Sequence, residues 1–386
     1  MSASPATVPG MTDRTLSARA LGRATLDRQF LLRRSPVTAK AAVEHLVGLQ
    51  AQNVKPPYVA LAARLDGFDP AELSALLNDR EVVRIAAMRS TVHLLGADDC
   101  VRLRPLVQPA LERELKMFTK RLAGVDLDRL TALTKAYVEE EPRTPKQIRE
   151  LLLARWPDAD PLVLTIAVRC RLPLVQTTPR GLWKRSGQVT LTTAGHWLDR
   201  AQEPGGAPES DPDPATAPAP DGTVLRYLAA FGPASVKDMQ QWSGLTRMKE
   251  VFERLRPRLV TFRDPHGVEL FDLPDAPRPD EDTPAPPRLL PEFDNVLLSH
   301  ADRTRLVPLA YKERTWTGNV VYPTFLVDGV LAGLWNLDEA AASLTLQPFG
   351  KLTAAQRDAL VAEAEATART LGVTGPCDIR FGTVRT

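Results

Sequence analysis

The chain has 386 residues, 44% of them hydrophobic and 25% charged, the composition of an ordinary globular protein with room for roughly two to four compact units. A formal net charge of +2 is too small for a protein that coats nucleic acid without preference, so any grip on phosphate must come from local patches. The three cysteines, Cys100, Cys170 and Cys377, have no CxxC spacing. That argues against a disulfide framework or a zinc knuckle and for a reducing compartment. The first residues lack the apolar stretch of a signal peptide, and no run approaches the roughly 18–20 apolar residues of a membrane span. The composition therefore predicts a cytoplasmic protein.

In chain order, a first unit is expected over residues 12–125. It has a helix over 18–33, then a helix over 36–49 with Ser35 as cap and Pro36 in the first turn. A third helix starts at Asp69-Pro70, and "VVRIAAMRSTVHLLG" reads as a strand pair. Asp98-Asp99 begins the next helix. Residues 126–200 suggest a second unit: a helix to Glu141, one from Pro145 to Arg155, one from Pro161 to Cys170, then a hairpin turning at Pro179-Arg180-Gly181. Trp183 in that hairpin reads as core. Residues 201–222, rich in Pro, Asp and Ala, read as a disordered linker.

Residues 223–273 give the clearest plan. Val224, Leu225, Leu228 and Phe231 share one helical face, and Gly232-Pro233 stops the helix. Ser235 is a good cap for a second helix. Met248, Val251, Phe252 and Leu255 stripe a third, and Pro265-His266-Gly267 joins two strand-like runs. Helix, helix, helix, hairpin is the plan of a winged helix-turn-helix, whose third helix lies in or along a DNA groove. Arg247 and Lys249, at exposed positions of that helix, are candidate DNA contacts. Residues 274–288 read as a second disordered linker. In 289–386 the strand-like runs, the Asp328-Gly329 turn and one regular helix ending at Gly372 suggest a β-barrel-like domain. Arg303 and Arg305 near its start are candidates for phosphate contacts. The expected fold class is α+β: three tandem winged helix-turn-helix units followed by a C-terminal β-barrel-like domain.

The usual catalytic signatures are missing. The histidines are scattered, and there is no HxxxH, GxSxG, Walker loop or dinucleotide fingerprint. No metal site and no cofactor are expected. What remains is Gln50-Ala51-Gln52. Gly48 weakens the helix before it, and Pro56-Pro57 forbids that helix much beyond Val54. If the chain is extended after Leu49, residues two apart point the same way and the glutamines converge; in a continuing helix they splay by about 200°. A convergent pair offers two carbonyl acceptors and two amide donors and can hold a water. The alternative is that both cap the helix end or face solvent.

The runs "HLVGLQAQNVKPPYVALAARL", "VRIAAMRSTVHLL" and "LLPEFDNVLLSHADRTRLV", with their Gln-apolar-Gln motif, resemble the winged-helix family whose characterised members are the bacterial DNA glycosylases AlkZ and YcaQ. The resemblance runs from about residue 15 to 385. It implies three winged-helix units and a β-domain, and catalytic roles for Gln50 and Gln52. Gln52, where the YcaQ branch carries Asp, is similar to the AlkZ-like branch, which removes bulky alkylated purines or unhooks interstrand crosslinks in antibiotic producers. The family position also implies that Arg89, Thr91 and His93, read as alternating along one strand face, lie near DNA or the active site.

The implied activity is hydrolysis of the N-glycosidic bond of bulky N7-alkylguanine adducts by a monofunctional, monomeric glycosylase. Its partner is double-stranded DNA carrying such adducts, with no membrane and no obligate protein partner. The nearest lysine to the motif is Lys55, which favours water as nucleophile over a lyase mechanism. A crosslink resists full flipping, so an open cleft is expected rather than a tight pocket. The competing readings are a non-catalytic winged-helix regulator that binds DNA or a drug, and a lesion-shielding protein.

Overall fold

The computed structural model describes residues 14–199, 220–317 and 320–384. It opens with α1 (Ala18–Arg28), α2 (Ala39–His45) and the two-residue strand β1 (Leu49–Gln50). Ser17 and Thr38 cap the two helices by accepting from Ala20 N and Ala41 N. Ser35, the expected cap, instead bridges to Leu65. Val47 (φ 54°) and Gly48 (φ 91°) both turn left-handed after α2, and this redirects the chain into β1. Only glycine fits at Gly48: an added Cβ would lie 2.3 Å from Leu95 Cδ2 and 2.9 Å from Leu94 O.

Next comes α3 (Pro56–Arg64). The two prolines that end the preceding segment occupy its first turn, where a missing N–H costs nothing. Asp69 caps α4 (Pro70–Asn78), and β2 (Val82–Ala86) and β3 (Val92–Gly96) follow as an antiparallel pair. Then come α5 (Ala97–Leu106), α6 (Gln108–Lys116), α7 (Leu127–Glu140), α8 (Pro145–Arg155), α9 (Pro161–Arg171), β4 (Leu174–Gln176), β5 (Leu191–Thr193) and α10 (Ala194–Leu198). The strands form one sheet in the order β1-β3-β2-β4-β5. The expected first and second units therefore share a sheet, joined where β2 pairs with β4. The hairpin between β4 and β5 is longer than expected. Its loop brings Trp183, as core, against Tyr58 with ring centroids 4.7 Å apart.

Residues 220–272 realise the helix, helix, helix, hairpin order: α11 (Asp221–Phe231), α12 (Val236–Ser243), α13 (Lys249–Leu255), β6 (Val260–Arg263) and β7 (Glu269–Asp272). Ser235 and Asp238 form a capping box at α12. The expected linker 201–222 lies outside the described residues except for its last three, where Asp221 already opens α11. The second linker is a correction. Residues 274–288 are an ordered strap held by arginines of α1: Arg28 donates to Pro277 O, Arg23 to Thr283 O at 2.6 Å, and Arg19 to Glu281 O at 2.8 Å. Proline removes ladder donors from this segment, but its carbonyls still need partners, and three guanidiniums supply them.

The last part comprises β8 (Arg288–Leu290), α14 (Asn295–Leu298), the small ribbon β9 (Trp316–Thr317) and β10 (Val320–Val321), β11 (Thr324–Val327), β12 (Val330–Asp338), β13 (Ser343–Pro348), α15 (Ala354–Thr370) and β14 (Asp378–Phe381). The expected barrel is also a correction. The sheet is open, in the order β14-β13-β12-β11-β8. α15 lies across one face and buries Leu360, Ala364 and Ala368 against Phe325, Leu344 and Leu346. One amphipathic helix covers that apolar face, so the sheet has no need to close on itself. The run "NVLLSHADRTRLVP", one of the strand-like runs expected in 289–386, is α14, capped by Asp294, and a loop. The fold is thus α+β. Among the described residues no helix is long and apolar enough to cross a membrane.

Candidate active site

Gln50 ends the strand β1, and Gln52 lies in the bend that follows it. β1 pairs with β3, with Gln50 opposite His93, and Ala51 N continues the ladder by donating to Val92 O at 2.8 Å. The ladder then opens. The Ala51 carbonyl turns to the Arg84 guanidinium (2.8 Å), and Val92 N donates to the side-chain oxygen of Gln52 (3.3 Å). Ala51 is fully buried, Gln50 is 7% exposed and Gln52 is exposed. Both glutamine side chains reach the same loop: Gln50 Oε1 accepts from Arg89 Nη2 at 2.9 Å, at the other end of the turn from Val92. Guanidinium and backbone N–H groups only donate, so each bond fixes the carboxamide with its oxygen on the protein and its amide nitrogen elsewhere. Among the described residues neither amide nitrogen has a hydrogen-bond partner.

Arg89 does not share a strand face with Thr91 and His93. It sits in the turn Met88–Ser90 between β2 and β3, with φ 53° at Arg89 and 57° at Ser90. Its guanidinium points inward, donating to Trp242 O (2.6 Å), to Gln50 and, at 3.4 Å, to His93 Nε2. His93 is 2% exposed and its Nδ1 lies 2.9 Å from Thr91 O. That carbonyl can only accept, so Nδ1 carries the proton and Nε2 accepts from Arg89. Burial, aided by Arg89, pushes His93 down to about 3, and burial pulls Arg89 down to about 10. His93 is neutral and internal, so it is not free to touch DNA. Thr91 closes the turn by donating to Met88 O.

Beneath the motif, Arg84 is buried and, among the described residues, bonded to the neutral groups Ala51 O, Asn53 O and Gln176 Oε1. A second long-range support comes from residues 291–295. Asn53 Nδ2 donates to Glu292 Oε1 at 3.0 Å, and Asn295 Nδ2 donates to Gly48 O at 2.8 Å. Asp294 holds Arg64 in a fully buried bidentate pair at 2.8 and 2.7 Å. The sequence marks Asp294-Asn295 as candidates at the start of the last domain without giving them a role; that role is to meet a segment more than two hundred residues away. Lys55 is exposed and paired with Glu339 at 2.6 Å.

The remaining candidates divide. Arg247 (φ 59°) and Lys249 are exposed at the turn between α12 and α13. This turn abuts the site, since Gly244 packs against the Arg89 backbone and α6 and α12 both lie against the Arg89 turn. Arg303 is half-buried and donates to Leu297 O. Arg305 is a correction: it is buried, donates to Pro233 O at 2.9 Å and to Thr25 Oγ1, and so holds α1 to the α11–α12 corner instead of reaching for phosphate.

His300, also buried, is pushed down to about 3 by burial and then by Arg305. The unfolded chain takes up protons at histidine near pH 6.5, whereas native His93 and His300 do so only near pH 3. Their contribution to stability is complete above about pH 6.5 and is lost as pH falls from there toward 3. We expect thermal midpoints to drop between pH 7.5 and 5.5, and His300→Gln to cut that drop by roughly half, since one of two such groups no longer titrates. An unchanged slope in differential scanning fluorimetry would contradict this.

A family model described as DNA glycosylase AlkZ-like matches residues 43–370. A protein of Streptomyces sahachiroi named as an interstrand DNA cross-link repair glycosylase is 25% identical over 372 residues, covering 90% of this chain and 95% of its own. The solved structure of the Streptomyces sahachiroi DNA glycosylase AlkZ superimposes with a TM-score of 0.76 at 21% identity, covering 95% of this chain and 100% of that one.

Proposed function

We propose that this chain, which belongs to the AlkZ-like DNA glycosylase family and is a DNA glycosylase, hydrolyses the N-glycosidic bond of bulky N7-alkylguanine adducts, interstrand crosslinks included. We read it as monofunctional, cytoplasmic and protective against a genotoxic natural product. The observation that carries the reading is the pair of glutamine carboxamides held on one loop by charged and backbone donors. The relative named for interstrand crosslink repair supports the substrate class. The helix–hairpin groups are read as winged-helix modules, with exposed Arg247 and Lys249 contacting phosphate.

The chemistry follows from charge. Alkylation at N7 makes guanine a cation, which departs as a neutral base without prior protonation. General acid catalysis is therefore supplied by the lesion. What is left is to stabilise an oxocarbenium-like sugar and to position a water. Each glutamine oxygen already accepts one protein bond and keeps one lone pair. That second lone pair of Gln50 and Gln52 accepts a hydrogen bond from the attacking water, whose proton passes to solvent once the new C–O bond has formed, and the negative end of the Gln52 dipole faces the sugar. A carboxamide is a poor general base, so normal nucleobases are spared.

The test is a panel of duplexes bearing N7-alkylguanine monoadducts, an N7–N7 crosslink and undamaged guanine, scored for released base and for strand breaks on heating. Released adduct from the alkylated duplexes alone is expected. A shifted band with no released base would favour the regulator or shielding reading.

A further inference from the structure

Arg89 carries a charge with no counterion among the described residues. Its acceptors are a backbone carbonyl, a carboxamide oxygen and a neutral imidazole nitrogen. A half-buried guanidinium with only neutral partners among the described residues is costly. In addition, Arg89 and Ser90 both hold left-handed backbone without being glycine, a conformation that persists only where its surroundings over-determine it. An exposed arginine waiting for phosphate would need neither feature.

We propose that Arg89 is the positioning residue of this site: its guanidinium locks the Gln50 carboxamide in a single orientation and ties it to the end of α12 through Trp242 O. The inference rests on the reading of Gln50 as catalytic. With Nη2 on Gln50 Oε1, the carboxamide cannot flip, because its amide hydrogens would then face the guanidinium hydrogens. Gln50 Oε1 is thereby kept at the water and its amide nitrogen is kept free for substrate. With Nη1 on Trp242 O at 2.6 Å, the same group senses where the helix-turn-helix of residues 236–255 sits. That turn carries exposed Arg247 and Lys249 and rests its Gly244 on the Arg89 backbone. A duplex that engages the turn therefore engages the partner of Gln50, and grip on DNA and alignment of the water become one event. Lysine cannot replace Arg89, since a single ammonium lacks the fixed fork that serves two acceptors on different elements.

The experiment is a double-mutant cycle on the full chain. Single-turnover excision at saturating protein and the duplex Kd are both measured for wild type, Gln50→Ala, Arg89→Ala, Arg89→Lys and the Arg89→Ala/Gln50→Ala double variant. Arg89→Ala is expected to slow excision by roughly 10- to 100-fold, the cost of a misplaced group, with Kd changed less than about threefold. The double variant should be no slower than Gln50→Ala alone, because Arg89 acts through Gln50. Guanidinium chloride, compared with sodium chloride at equal ionic strength, should restore part of the rate to Arg89→Ala and nothing to the double variant, a rescue that no unfolded or generally loosened protein shows. Multiplying effects in the double variant, or a loss confined to Kd, would overturn the proposal while leaving Gln50 catalytic. A Gln50→Ala protein with the wild-type rate would instead remove the reading on which it stands.

Discussion

Gln52→Ala, assayed in single turnover on a duplex carrying a bulky N7-alkylguanine, is expected to lose on the order of 10²- to 10³-fold in excision rate while binding the duplex as tightly as wild type. The magnitude is that of removing one preorganised dipole from a site where charge develops. Binding is spared because Gln52 is exposed and, among the described residues, its side chain holds a single hydrogen bond, from Val92 N at the start of β3. Gln52→Glu sharpens the test. A carboxylate still accepts from Val92 N, accepts a proton far better than a carboxamide and opposes the sugar cation with a full charge. Its rate is expected to equal or exceed wild type on the same adduct. Loss of rate in both variants would point to a donor role for the amide nitrogen.

Asp294→Ala is expected to destabilise the protein by about 3–5 kcal/mol, the largest stability effect of any single change considered. Arg64 and Asp294 are both fully buried and joined by two short bonds. Removing the carboxylate leaves a cation inside the protein whose remaining acceptors, Ala60 O and Gln29 Oε1, are neutral. It also removes the cap that Asp294 provides at Val296 N, worth about 1 kcal/mol on its own. The measurement is the urea midpoint, with the slope unchanged if only the native state is affected. A shift below about 1 kcal/mol would mean that the pair contributes little. The damage reaches the site as well. Asp294 and Asn295 are neighbours, and Asn295 holds the Gly48 carbonyl just before the glutamines.

The helices with strong local signals were legible in the sequence. Pro145–Arg155 and the Ser235-capped helix form where apolar spacing and caps agree. The extended conformation at Gln50 was also legible, because glycine and proline on either side leave a helix no room. What the sequence hid was long-range. Nothing local says that β2 and β4 pair and merge two units into one sheet, or that proline-rich 274–288 is ordered by arginines on α1. Periodicity likewise grouped Arg89 with Thr91 and His93 on one face, whereas left-handed backbone at Arg89 and Ser90 breaks the strand and swings the arginine inward. Arg305 read as a phosphate contact because arginine among polar neighbours usually is one; the corner that consumes its hydrogen bonds is assembled from three distant segments.

The central claim is that the lesion's own positive charge drives departure and the protein supplies only dipoles and a water. The most direct measurement compares single-turnover excision of a cationic N7-alkylguanine with that of 1,N6-ethenoadenine, a neutral adduct, in the same duplex between pH 5.5 and 6.5, where the alkylated guanine keeps its N1 proton and hence its positive charge. No site group between His93 near 3 and Arg89 near 10 is assigned to protonate a leaving base. Release of the cationic adduct at a rate independent of pH, with no release of the neutral one, is the predicted result. Comparable release of both, or a rate that rises tenfold per unit of falling pH, would show that the enzyme protonates its leaving group and would contradict the account.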